Sequence, residues 1–106
     1  MSSSVRVAAV ADVSEGEILK VFVGDRQIAL YHMPGGEFRA TDDLCSHGQA
    51  FLSDGWLTDE GHVECPLHGG CFDTLTGEPT LAPCEVAIRA YKVRVEGEEI
   101  HVELAD

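Results

Sequence analysis

Basic residues are scarce in this chain, and across its middle they are missing. The 106 residues include 7 Lys and Arg against 19 Asp and Glu, a net charge of −12. Between Arg39 and Arg89 there is neither Lys nor Arg. This argues against nucleic acid as a partner, because phosphate binding needs clustered cations. Long apolar runs are missing too. The longest is only a few residues, so no segment is suited to crossing a membrane. The start, Met1-Ser2-Ser3-Ser4, has no basic region followed by an apolar one, so no secretory signal is visible and a cytoplasmic location is expected. No stretch of about a dozen residues keeps a helical period. Nor is there a Ser-His-Asp arrangement, a phosphate loop or a paired-carboxylate acid/base site.

What is present points to short strands. A chain of 106 residues fits one domain, 1–106, with no length left for a second catalytic module. Ile18 to Val23 is rich in apolar and branched residues, Gly24-Asp25 turns the chain, and Gln27 to Met33 returns it. Pro34-Gly35-Gly36 makes the next turn before Glu37 to Thr41. Near the end Tyr91 to Val95 alternates, Glu96-Gly97 turns, and Glu99 to Leu104 alternates again. The expected class is all-β, built of short antiparallel strands. From about Leu44 to Pro83 the chain is instead dense in Gly, Pro, Cys and Asp, with brief strand-like pieces such as His62-Val63-Glu64. So much irregular chain in a small domain needs something besides backbone pairing to order it, and a metal cluster would serve.

The residues for such a cluster are there. One loop reads Cys45-Ser46-His47-Gly48, and a second reads Cys65-Pro66-Leu67-His68-Gly69-Gly70. Seventeen residues separate His47 from Cys65. Each loop offers one thiolate and one imidazole, which suits a binuclear centre: two Cys on one iron and two His on the other. Glycines directly after both His let the backbone come close and aim amide N–H groups at sulfur. Two Cys and two His also make a structural zinc site, although zinc fingers usually group a Cys pair apart from a His pair. Cys45, His47, Cys65 and His68 are the candidate ligands, with one 2Fe–2S cluster as the favoured cofactor and zinc as the alternative.

The match runs past the ligands. Cys45-Ser46-His47-Gly48, Leu52-Ser53-Asp54-Gly55, Glu64 to Gly70 and Phe72-Asp73-x-x-Thr76-Gly77, with Pro83 and the closing strands, resemble the Rieske ferredoxins of bacterial aromatic-ring-hydroxylating dioxygenase systems. The resemblance covers nearly the whole chain. It implies the Rieske fold, with a cluster-binding part of two loops at one tip (about 44–83). It also implies a soluble electron carrier, not an enzyme, between an NADH-dependent flavin reductase and a terminal oxygenase. Rieske proteins of respiratory complexes carry an extra Cys in each loop; here those positions are Ala50 and Leu67. Their cluster-bonding Ser and Tyr are here Gly70 and Phe72. Losing such donors implies a potential near the low end of the Rieske range, about −150 mV. A small Rieske-like nitrite reductase subunit and a zinc-stabilised interaction module are the competing functions.

Other residues carry plainer expectations. Cys71 and Cys84 read as buried thiols, with Cys71 beneath the cluster loop. His101 and His62 read as exposed, His32 as half-buried and satisfied, and Trp56 as packing. The acidic window, from Asp42 to Glu85, either keeps the chain soluble or forms a docking face for basic partners.

Overall fold

The computed structural model describes residues 3–45, 50–67, 69–82 and 86–104. Among the described residues ten strands form two antiparallel sheets. The larger holds β1 (Ser3–Ala9), β2 (Ile18–Val23), β3 (Arg26–His32), β4 (Phe38–Asp42), β9 (Ala90–Glu96) and β10 (Glu99–Leu104), in the order β1-β10-β9-β4-β3-β2. Its edge strands β1 and β2 lie beside each other, so the sheet rolls toward closure. The smaller runs β5 (Trp56–Leu57), β6 (His62–Glu64), β7 (Cys71–Asp73) and β8 (Pro79–Leu81) in sequence order. The only helical pieces among the described residues are two single 3₁₀ turns, Val10–Asp12 and Leu52–Asp54.

The all-β expectation holds, and the alternating segments sit within a residue of where the pattern put them. β3 shows why. Its Ile28 and Leu30 face a core with Val21, Ala40, Ile100 and Val102, while Ala29 and Tyr31 face a second core with Leu52, Val63 and Phe72. A strand apolar on both faces must be a wall between two cores. β1 carried no expectation, because its partner β10 lies at the far end of the chain.

The topology places an excursion where function was suspected. β4 and β9 pair directly, Ala40 with Tyr91 and Thr41 with Ala90, and the Asp42 N–H bonds the Arg89 carbonyl at 2.9 Å. Everything between leaves the large sheet and returns to it, forming the small sheet on the way.

Three single-residue readings change. Trp56 is about half exposed (51%), because β5 is an edge strand and nothing covers that face. His101 is largely covered: Arg6 and Arg94 flank it on the neighbouring strands, and its Nε2 lies 3.5 Å from Glu99 and 3.7 Å from Glu96. His62 is half-buried, its Nδ1 3.3 Å from the Thr80 hydroxyl. His32 is as expected: Nδ1 is 2.9 Å from the Val13 carbonyl oxygen and the ring stacks on Phe38.

Both tyrosines are tied to the end of β4. Thr41 Oγ1 donates to the Asp42 carbonyl, leaving it to accept from Tyr31 Oη at 2.7 Å. Tyr91 Oη donates to the Asp42 carboxylate. Burial, with Asp43 nearby, pushes the Tyr31 phenol well above the ordinary range despite the opposing Thr41 bond. Burial and the Asp42 contact push Tyr91 up to about 12, against Arg26 and Arg89. Folded values above unfolded ones mean that the stabilisation is complete below about pH 10 and is lost as pH rises through the folded values. The folded protein at about pH 11 should therefore show much less phenolate absorbance than the urea-unfolded chain. Urea midpoints should fall steadily above about pH 10; phenolate formation in the native state with an ordinary midpoint near 10 would contradict the burial of Tyr31 and the Asp42 contact of Tyr91.

Candidate metal centre

Cys45 and Cys65 open two loops whose bases are built alike. The first hangs from a bridge between Leu44 and Phe51, the second from the β6–β7 pair Glu64 and Cys71. Each therefore spans six residues, 45–50 and 65–70, with Cys first. Each closes through its own cysteine amide: Cys45 N–H bonds the Ala50 carbonyl at 2.9 Å, and Cys65 N–H bonds the Gly70 carbonyl at 2.7 Å. The spacings C-x-H and C-x-x-H conceal this equality. Both cysteines are buried, at 1% and 0% exposure, in one core with Leu52, Val63 and Phe72. His47, His68 and Cys84 lie outside the described residues. Among the described residues no group of three potential metal donors occurs, since two of the four candidates are not among them.

Glycine brings the loops' supports together. A Cβ on Gly55 would lie 2.0 Å from the Glu64 carbonyl oxygen and 3.2 Å from Pro66 Cδ, so the turn after the first loop presses on the start of the second. Gly69 takes a left-handed φ of +75° inside the second loop, next to His68. Farther out, Asp73 Oδ1 accepts from the amides of Leu75 (2.8 Å) and Thr76 (3.2 Å), shaping a turn that ends at Gly77. That is the physical content of the Phe72-Asp73-x-x-Thr76-Gly77 motif.

Cys71 is buried at the start of β7, and its thiol donates weakly to the Gly69 carbonyl at 3.8 Å. Burial pushes that thiol up, and negative charge on Glu64 and Glu60 adds to it. It packs against the second loop, as expected for a structural thiol.

Asp43 is a functional candidate that the sequence showed only as one more negative charge. It is fully buried two residues before Cys45 and binds Gln27 and Ser53. The acidic window is thus not one uniform face. Asp43 is interior, Asp42 holds Tyr91 and Asp73 builds a turn, leaving Asp54, Asp59, Glu60 and Glu78 exposed. Beside the loops exposed apolar side chains also stand out, namely Leu44, Phe51 and Leu67, with Lys20 Nζ 4.8 Å over the Phe51 ring and Asp54 lining the same recess as Phe51 and Leu67.

The residues present fit an iron–sulfur cluster. Two buried cysteines sit at matched positions on loops whose candidate second donors are histidines. Gly55→Ala tests the close approach that holds the loops together. It should lower stability by about 3 kcal/mol or more in urea titration, because backbone rather than a pliable side chain must yield. Wild-type stability would show that the two turns are not in contact.

Comparison with known proteins agrees with this geometry. The sequence pattern of the Rieske [2Fe-2S] domain family matches residues 3–92. The ferredoxin component of the naphthalene 1,2-dioxygenase system of Pseudomonas putida is 42% identical over 102 residues, 95% of each chain. The ferredoxin of carbazole 1,9a-dioxygenase from Nocardioides aromaticivorans IC177 superposes with a TM-score of 0.88 at 39% identity, covering 94% of this chain and 96% of that one. A ferredoxin solved in complex with the oxygenase of carbazole 1,9a-dioxygenase gives a TM-score of 0.83 at 41% identity, over 93% and 91% of the two chains. A small subunit assigned to an NADH-dependent nitrite reductase of Mycobacterium tuberculosis shares the fold alone, at 23% identity and a TM-score of 0.88 over 100% and 98% of the two chains. The chain accordingly belongs to the Rieske [2Fe–2S] domain family, as a ferredoxin that carries one cluster and transfers electrons rather than an oxygenase that performs the chemistry.

Proposed function

We propose that this ferredoxin accepts electrons from an NADH-dependent flavin reductase and passes them to a terminal Rieske non-haem iron oxygenase in the cytoplasmic breakdown of an aromatic compound. In this reading 1–106 acts as one domain, with its cluster-binding part at about 44–83. Cys45 and Cys65 hold one iron and His47 and His68 the other. When bound, the cluster supplies one-electron chemistry, taking up a single negative charge on reduction. The matched loops at Cys45 and Cys65 are the observation that carries this assignment, since a binuclear centre needs two equivalent arms.

The chain's own contribution is to bury and to present. Leu52, Val63 and Phe72 keep water from the cysteine side. Gly70 and Phe72 offer no hydroxyl to the cluster, which supports a low potential. Leu44 and Phe51 at the base of the first loop, and Leu67 in the second, are exposed and give a partner an apolar surface on which to settle. The names of the relatives favour a dioxygenase system. The nitrite reductase likeness rests on fold only, and a zinc-stabilised module would leave the electron-carrying relatives unexplained.

The purified protein should be brown, bleach with anaerobic dithionite and give a rhombic EPR signal whose average g lies well below that of an all-cysteine 2Fe–2S ferredoxin. Cys65→Ser should lose the cluster and at least most of that signal. A colourless wild-type protein with one zinc per chain, even when produced with ample iron, would overturn the assignment.

A further inference from the structure

Asp43 is the charged side chain that is wholly buried among the described residues, and packing alone does not account for it. Its Oδ1 accepts the Ser53 N–H at 2.7 Å, and its Oδ2 accepts the Ser53 hydroxyl at 2.9 Å and the Gln27 side-chain amide. Two of these three donors are N–H groups that can only donate, and each carboxylate oxygen accepts from one of them. Among the described residues no Lys or Arg pairs with it. The backbone is fixed as well: Asp43 N–H bonds the Gln27 carbonyl at 3.1 Å, and its carbonyl accepts Leu52 N–H at 2.7 Å. An asparagine of the same shape could accept from Ser53 without an uncompensated buried charge, which is costly.

Resting on the cluster assignment above, we propose that Asp43 is a fixed buried anion that holds the cluster's reduction potential low. Reduction adds one negative charge, and an anion nearby opposes it by Coulomb repulsion. Asp43 and Cys45 are two residues apart, so their α-carbons can be separated by at most about 7 Å. Burial keeps counter-ions away, so the effect is not removed by salt as that of a surface charge would be. Asp43 is thereby a positioning residue for the first loop and a source of field within it.

The test is the midpoint potential of the holoprotein, read by EPR-monitored redox titration of wild type and Asp43→Asn. With the rhombic signal unchanged in shape, the Asn variant should be easier to reduce. Its reduction equilibrium constant should rise by roughly tenfold, about 59 mV for one electron. The shift should persist at high salt, whereas any shift in the exposed Asp54→Asn control should shrink. A potential that stays put or falls, with an unchanged signal, overturns the proposal while leaving the cluster intact. A wild-type protein without the signal overturns the cluster assignment and this proposal with it. Should Asp43→Asn fail to load, Ser53→Ala and Gln27→Leu decide. Each keeps the charge but removes a donor that drains it, so a lower potential supports the proposal and an unchanged or higher one overturns it.

Discussion

The pairing of β4 with β9 is the constraint on which the site depends. Two short register pairs, Ala40–Tyr91 and Thr41–Ala90, clamp both ends of the long excursion that carries the cysteines. Closing such a segment costs chain entropy that grows only slowly with length, so one clamp can serve the whole of it. Once the ends are fixed, the small sheet needs only brief strands to set the second loop. The clamp is reinforced on either side: Tyr91 reaches Asp42, and Asp43 reaches back to Gln27 on β3 and forward to Ser53. The first loop therefore starts from backbone that is held by three separate elements.

The two loops arise from different sheets. The first extends from the end of β4, the second joins β6 to β7. A ligand set drawn from both would staple the sheets together where regular pairing between them is lacking, and metal binding would then contribute to folding itself. The close approach of Gly55 to Glu64 acts within the small sheet, at the start of the β5–β6 ladder, by a backbone contact that leaves no room for a side chain. The shared core of Cys45, Leu52, Val63, Cys65 and Phe72 fills the space behind.

How much of this could be read from the sequence follows from the range of each interaction. β2, β3, β9 and β10 announce themselves because alternation is local. β1 does not, since its reason for existing is a partner at the other terminus. The candidate donors stand out by type, as Cys and His in two Gly-rich loops, but the equal length of the loops does not, because it is defined by the bridges Leu44–Phe51 and Glu64–Cys71 across their bases. Asp43 looked like its neighbours Asp42 and Asp54 until Gln27 and Ser53 closed over it. Trp56 and His101 failed for opposite reasons: an edge strand left the first uncovered, and two arginines covered the second.

The distribution of charge then makes sense for a carrier that must bind and leave. A net charge of −12 would attract a basic partner at long range. Leu44 and Phe51, at the base of the first loop, and Leu67, in the second, are exposed and Lys20 lies over Phe51, so close contact there would rest on a small apolar patch more than on tight ion pairs. Desolvating buried ion pairs would slow release and demand one exact partner. A few apolar side chains would demand no such exact pairing of a partner that has only to come near enough for an electron to pass. Steering charges at a distance and apolar contact at the centre thus divide the labour between arrival and departure.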